Sequence, residues 1–136
     1  MFRRLQEMRE RGESGFTLIE LLVVILIIAI LAAIAIPVFL NQRKKGWTSQ
    51  VQSTLKNAAT AQETYLVDNS VYANDIANLT ASGLRFSTSD VTMADADVTG
   101  VGATSYCMRA TSVHDTSIVW YYSSAVGAPS TTACTL

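Results

Sequence analysis

The hydrophobic and polar positions divide the sequence into three regions, and the first of these is almost wholly apolar. Between Leu21 and Leu40 no side chain is charged or able to form a hydrogen bond. Twenty residues of α-helix rise about 30 Å, which is the thickness of the hydrocarbon layer of a bilayer. The pattern therefore predicts a helix over residues 16–40 that spans a membrane.

The second region, residues 41–70, is predicted to continue the same helix with one buried face. Apolar positions recur every three or four residues, and polar side chains occupy the opposite face. A cluster of turn-forming residues at 68–70 predicts the end of the helix. The positions predicted to be buried are Trp47, Val51, Leu55, Ala58 or Ala59, Gln62 and Leu66.

The predicted helix is too long to be covered by a small domain. Residues 16–68 would form about 80 Å of helix. Its apolar first half must therefore be covered by lipid or by copies of itself. Pro37 lies in this half, where it removes one backbone hydrogen bond and clashes with the preceding turn, so a kink is expected just before it.

The third region, residues 71–136, has the composition of a small head that is rich in β-structure. Residues 90–98, 104–111 and 117–123 are the predicted strands, and residues 98–102 and 114–115 the predicted turns. Residues 71–89 are predicted to be a connecting loop with a short helical turn at 74–79. The predicted fold is α+β, with a long N-terminal helix packed on a small antiparallel β-sheet of three or four strands.

The charges at the start of the chain indicate an orientation and a missing partner. Residues 1–15 carry four Arg and three Glu, a net charge of +1, and the positive-inside tendency places them in the cytoplasm. The cations of residues 43–45 follow the span and weaken this bias. Glu20 lies at the edge of the apolar run, where a lone ionisable group costs up to about 3 kcal/mol. We therefore expect Glu20 to have a positively charged partner.

Residues 14–21, with the sequence SGFTLIEL, combine a glycine, an aromatic residue, a glutamate four residues later and the start of the apolar run. This segment resembles the class III signal sequence of type IV pilins and pseudopilins, and residues 32–37 (AAIAIP) are also similar to that family. The resemblance implies that a prepilin peptidase cleaves after Gly15 and that the new amino group of Phe16 is N-methylated. It also implies the long helix and β-sheet of a pilin.

The resemblance further implies that Glu20 pairs with the Phe16 amine of a neighbouring subunit. In a water-poor bundle such a pair is strongly attractive and a lone charge is heavily penalised. A Glu20 solvated by lipid headgroups is the alternative. In the family, the segment between a glycine and the proline at position 37 can unwind in the filament. Ala29 stands where many pilins carry that glycine, so the extent of unwinding stays open.

An ordinary secretory signal is a second interpretation of the N-terminus. A basic start, an apolar core at residues 21–31 and the small residues Ala33 and Ala35 fit it loosely, with a mature chain starting at Ile36. Glu20 at the start of the core, Pro37 just beyond the cut and the apolar run that continues to Leu40 count against it.

Cys107 and Cys134 are the two cysteines of the chain. An even pair in an exported domain favours a disulfide, which would attach the C-terminal tail to the sheet. The resemblance adds that many pilins close a C-terminal loop in this way. Two free thiols are the alternative.

The remaining residues predict neither catalysis nor a metal site. His114 is the single histidine, and no nucleophile elbow, phosphate loop or paired carboxylates are present. Asp90, Asp95 and Asp97 lack the glycine and the bidentate glutamate of a calcium loop, so we expect solvated turn acids. Two cysteines and one histidine lack zinc-site spacing. We predict no enzyme activity, no cofactor and, at a formal net charge of −1, no nucleic-acid site.

The sequence thus predicts the major subunit of a type IV pilus, made as a precursor and polymerised through its N-terminal helix for adhesion, motility or DNA uptake. Expected partners are other copies of the chain, the prepilin peptidase, the cytoplasmic membrane and the pilus assembly machinery. The expected location is the membrane before assembly and the extracellular filament after it. The predicted parts are leader 1–15, span 16–40, amphipathic helix 41–70 and head 71–136. The alternatives are a major pseudopilin of a secretion or competence system and a monomeric membrane-anchored binding domain.

Overall fold

A computed structural model of the chain describes residues 15–134, so the predicted leader lies almost entirely outside the described residues. The chain forms two compact units, Met1–Leu40 and Asn41–Leu136. Helix α1, Leu18–Asn69, begins in the first unit and ends in the second. It starts two residues after the predicted Phe16 and ends at Asn69, within the turn-forming cluster 68–70 that was predicted to end it.

The described part of the first unit is a single helical segment with an apolar surface. All its large apolar side chains from Leu18 to Leu40 are exposed. The helix continues through Pro37, and the predicted kink just before it stays a prediction. Among residues 15–134, α1 is the helix long and apolar enough to cross a membrane, judged by its length and composition.

In the second unit, α1 buries the face that the periodicity predicts. Its buried side chains recur at helical spacing, while Trp47 and Leu66 at the two ends of the predicted stripe are half-buried. Gln62 is fully buried and bonds the backbone of Ala73, with Nε2 donating to the carbonyl at 3.0 Å and Oε1 accepting from the N–H at 2.8 Å. The buried residues of α1 are Val51, Thr54, Leu55, Ala58, Ala59, Ala61 and Gln62.

A short helix and loop connect α1 to the sheet, as predicted. Helix α2, Ile76–Ala81, is capped by Asp75, whose Oδ1 accepts from the Asn78 N–H at 2.7 Å. Leu79 and Leu84 of this connection are buried against the core. Their burial removes from water apolar area that the connection would otherwise expose.

The sheet is antiparallel and is built around one long strand. The strands are β1 (Val91–Thr92), β2 (Val98–Val101), β3 (Ser105–Ser112), β4 (Val119–Ser123) and β5 (Pro129–Ser130). Both β1 and β2 pair with β3, which also pairs with β4, and β5 pairs with β4. Along β3 the buried residues are Tyr106, Met108, Ala110 and Ser112, the alternation expected for a strand with one covered face.

The structure corrects two of the predicted boundaries in the sheet. The predicted strand 90–98 is interrupted by a 3₁₀ turn at Asp95–Asp97, where Asp97 Oδ2 accepts from the Ala94 N–H at 3.0 Å and competes with extended pairing. The predicted turn 98–102 is largely strand β2. Gly100 is needed there for close packing, since an added Cβ would lie 2.8 Å from the Cβ of Tyr72.

Candidate assembly site

The peptide bond predicted to be cleaved lies just before the first helical residue. Gly15, Phe16 and Thr17 precede α1 and are exposed, with 74% of the Phe16 surface accessible. A Cβ added at Gly15 would meet no atom within 4 Å. The described residues 15–134 therefore set no steric requirement for glycine at position 15.

Glu20 occupies the first turn of α1. The hydroxyl of Thr17 accepts from the Glu20 N–H at 3.2 Å, and the Thr17 carbonyl accepts from the Leu21 N–H at 3.2 Å. Thr17 is therefore the N-cap, a signal that the T-x-x-E spacing carries and that the sequence interpretation did not use. A carboxylate near the positive end of a helix gains about 0.3–1 kcal/mol.

That gain is smaller than the cost of about 3 kcal/mol for an ionised group deep in a membrane. Within residues 15–134 the Glu20 carboxylate has neither an ion-pair partner nor a hydrogen-bond donor. The chain places Phe16 and Glu20 within four residues of each other. It leaves the acid available for a cation supplied by another molecule.

The rest of the segment has nothing inside the described chain to cover it. Apolar side chains surround the helix on all sides, which is typical of a segment covered by lipid or by like helices. Ala29 and Pro37 both lie inside this continuous helix. Pro37 cannot donate a backbone hydrogen bond, so the preceding turn is the weak point of the segment.

In the second unit, Cys107 and Cys134 form the predicted disulfide, with their Cα atoms 5.9 Å apart. Cys107 lies in β3, and Cys134 follows β5. The bond therefore closes a loop that contains β4 and β5 and fixes the C-terminal segment beside the sheet. This confirms the disulfide and excludes two free thiols.

Comparison with known proteins agrees with these features. Residues 11–36 match the family model described as the prokaryotic N-terminal methylation motif. The chain is also 42% identical over 111 residues to the type IV wide pilus major component PilA4 of Thermus thermophilus, an alignment that covers 82% of this chain and 81% of the relative. The chain belongs to the type IV pilin family.

As a pilin, the chain is a structural filament subunit that carries the motif for prepilin processing, and it is not an enzyme. The pilin fold expected from the resemblance is confirmed, including the long helix, the antiparallel sheet and the C-terminal disulfide. The match to a pilus component favours a pilin over a pseudopilin. A filament subunit also differs in kind from the monomeric binding domain that the sequence left as an alternative.

The acids of the pilin head are more structural than expected. The prediction of solvated turn acids is wrong for Asp97, which is buried and accepts from Nε of Arg109 at 2.6 Å. Asp90 lies 2.9 Å from His114 Nε2, and Asp95 accepts from the backbone N–H of Ile76 at 2.9 Å. No group of three or more His, Cys, Asp or Glu side chains able to hold a metal ion occurs in the part of the chain that the structure describes.

The sequence did not predict one cluster of side chains. It joins residues 44–47 of helix α1 to the turn between β3 and β4. Trp47 stacks on His114 with 5.3 Å between ring centroids, and Lys44 Nζ lies 3.3 Å from Asp115 Oδ2. Hydrogen bonds from Ser117, and then the bond and charge of Lys44, lower the pKa of Asp115. The ionised carboxylate is thus the favoured form.

The other pronounced feature of the pilin head is a groove of about 770 Å³. The hydroxyl of Tyr72 donates to Glu63 at 3.2 Å, and burial together with the negative charge of Glu63 raises the pKa of Tyr72. Spacing alone could not reveal this cluster, because its tyrosines lie on separate segments. Its main polar and aromatic residues are Lys56, Thr60, Glu63, Tyr72, Tyr106 and Tyr122.

Proposed function

We propose that this chain is the major subunit of a type IV pilus and that a prepilin peptidase cleaves it after Gly15. The new amino group of Phe16 is then N-methylated. The observation that carries the proposal is the helical segment 18–40, whose large apolar side chains are all exposed and whose one ionisable group is Glu20. The similarity to a protein named as a major pilus component supports the role of main subunit.

Assembly would supply the two things that segment 18–40 lacks within the described chain, which are a cover for its apolar faces and a cation for Glu20. Cleavage creates an ammonium group at Phe16, four residues before the unpaired carboxylate of Glu20. Packing the helices of many copies together covers their apolar faces and brings the amine of one copy to the acid of the next. Because a buried charge without a partner is strongly unfavourable, this pairing also fixes the register between neighbouring subunits.

Before assembly the same segment holds the subunit in the cytoplasmic membrane. Residues 16–40 are the span, residues 41–70 and 71–136 form the extracellular part, and residues 1–15 are the leader on the cytoplasmic side. The assembly machinery transfers the subunit from lipid into the filament on the cell surface. Transfer gives little hydrophobic gain out of lipid, so helix packing and polar pairing supply the specificity.

The test is mass spectrometry of the N-terminal peptide of the protein from its native cells, together with filaments sheared from the cell surface. A peptide that begins with N-methylated Phe16, recovered from sheared filaments, is the expected result. A mature chain that begins at Ile36 would establish ordinary secretion and overturn the proposal. An intact Met1 would leave only a membrane-anchored precursor.

A further inference from the structure

The positive segment at residues 43–45, followed by Trp47, lies directly after the apolar run that ends at Leu40. At 1.5 Å per residue, Arg43 and Trp47 lie about 5 and 10 Å beyond Leu40 along the helix. The polar layer of a bilayer adds about 5–8 Å on each side of the hydrocarbon. A span that fills the hydrocarbon with residues 21–40 therefore places Arg43 and Lys45, about 5 and 8 Å beyond Leu40, at the depth of the lipid headgroups, and Trp47 just beyond that layer.

Not every cation in this segment is available to a partner. Lys44 pairs with Asp115 at 3.3 Å. The guanidinium of Arg43 lies 5.1 Å from the centre of the Trp47 ring, a contact that leaves its N–H donors able to bind an anion. Within residues 15–134 neither Arg43 nor Lys45 forms an ion pair, and both are exposed.

The acids close to residues 43–47 already have partners. Asp115 accepts from the N–H and hydroxyl of Ser117, in addition to its contact with Lys44. Asp90 bonds His114, which stacks on Trp47. The segment therefore carries two cations without ion-pair partners among the described residues. Arg43 lies beside the Trp47 ring, and Lys45, two residues from each, lies on the other side of the helix.

From this arrangement we infer that Arg43 and Lys45, on two sides of the helix, form a docking surface around it for anionic lipid headgroups, used while the subunit is in the membrane. This inference rests on the membrane stage of the proposed function. The cations bind headgroup phosphates, and the Trp47 ring beside Arg43 reports their approach. The surface keeps the head close to an acidic membrane until assembly replaces the lipid with neighbouring subunits.

The size of the expected preference for anionic lipid follows from the charges of Arg43 and Lys45. Each Lys or Arg near an acidic membrane surface contributes about 1 kcal/mol, equivalent to about a fivefold enrichment of anionic lipid. The contribution falls with added salt because the Debye length shortens from about 10 Å at 0.1 M to about 3 Å at 1 M. Zwitterionic lipid lacks the net charge and should show no such enrichment.

The test uses the full chain in bilayer nanodiscs, with Trp120→Phe so that Trp47 is the single tryptophan. Fluorescence quenching of Trp47 is compared for traces of anionic and of zwitterionic lipid that carry the same spin label on the headgroup. We expect stronger quenching by the anionic lipid at low salt. The preference should fall by about fivefold in Lys45→Gln, and further in the double variant with Arg43→Gln.

Lys56→Gln is the matched control, because Lys56 is an exposed lysine on the same helix with the same change in net charge. It lies about 16 Å further along the helix, beyond the headgroup layer, and its substitution should leave the lipid preference unchanged. Equal quenching by both lipids in the unsubstituted chain would overturn the inference. So would an equal loss in the Lys56 and Lys45 variants, which would indicate diffuse attraction by net charge.

The outcomes also separate this inference from the proposed function. A chain that fails to enter nanodiscs would contradict the membrane stage, and both ideas would fall. A chain that enters but shows no preference for anionic lipid would leave the membrane stage intact and remove only the docking surface. A surface used only by acidic groups of neighbouring subunits would give this second result.

Discussion

Gln62 should be the polar residue on which the stability of the head depends most. Its side chain is fully buried and bonds both the N–H and the carbonyl of Ala73, which is itself buried. The pair of bonds attaches helix α1 to the start of the connection that leads to the sheet. Replacing Gln62 with leucine keeps most of the volume but removes both bonds.

The expected cost follows from the two backbone groups left without partners. Each buried and unsatisfied group costs about 1–3 kcal/mol, against which the added apolar surface is a partial gain. We therefore expect Gln62→Leu to lower the free energy of unfolding by about 2–4 kcal/mol. For a domain of about 100 residues, this corresponds to a fall in Tm of about 8–30 °C.

The assay is thermal unfolding of the full chain in detergent, followed by near-ultraviolet circular dichroism of the aromatic residues. Both tryptophans and all five tyrosines follow residue 40, so the signal reports the second unit. Gln50→Leu is the control, because Gln50 is exposed on the same helix, and it should change stability by less than about 0.5 kcal/mol. A Gln62→Leu variant as stable as this control would refute the reasoning.

The remaining predictions concern processing, assembly and the sheet. Gly15→Leu should retain the leader without altering the fold, measured by the mass of the membrane-bound protein, since position 15 has no steric contact within residues 15–134. Glu20→Ala should reduce sheared filaments at least about tenfold while cleavage continues, because the Phe16 amine then loses its partner, and about 1.4 kcal/mol already gives a tenfold change. Replacing both Cys107 and Cys134 with serine should destabilise the head by about 3–4 kcal/mol in chemical denaturation, through the freed loop entropy. Gly100→Ala should cost about 1–3 kcal/mol in the same assay, because the new methyl group meets Tyr72.

Each of these predictions has its own contrary outcome. Efficient leader removal from the Gly15 variant would place the cleavage elsewhere, and filaments of normal yield from the Glu20 variant would end the charge-pairing account. An unchanged denaturation midpoint for the double serine variant would mean that the tail is held by other contacts. Gly46→Ala is the control for Gly100→Ala. It meets nothing within 4 Å in a helix, so it should stabilise by about 0.5–1 kcal/mol, and equal losses at both sites would contradict the steric argument.

Periodicity predicted α1 well because the spacing of apolar residues directly records which face is buried. The stripe around Val51 and Leu55 is in the core, and the run before Leu40 is exposed. Gln62 was visible as a polar residue at an apolar position. Its partner was not, because Ala73 lies eleven residues away across a turn.

The sheet was harder to predict because its short strands depend on distant partners. Strand β2 contains Gly100 and is followed by Gly102, and glycines usually mark a turn. Here Gly100 admits the neighbouring backbone at Tyr72. The salt bridge of Asp97 with Arg109 likewise links residues on separate elements, so spacing along the chain carried no sign that this acid would be buried.

The two units differ in whether their polar groups find partners within the described chain, and this difference bears on assembly. In the region the structure describes, no buried side-chain nitrogen or oxygen lacks a hydrogen-bond partner, so the head satisfies its own polar requirements. The described segment 18–40 instead exposes its large apolar side chains and holds one acid, Glu20, which has no ion-pair partner among residues 15–134. In the proposed assembly a filament therefore gains most from joining these segments, and exposed head residues are comparatively free to vary. Substitutions on the head surface that preserve its fold should change what the pilus contacts more than whether it forms.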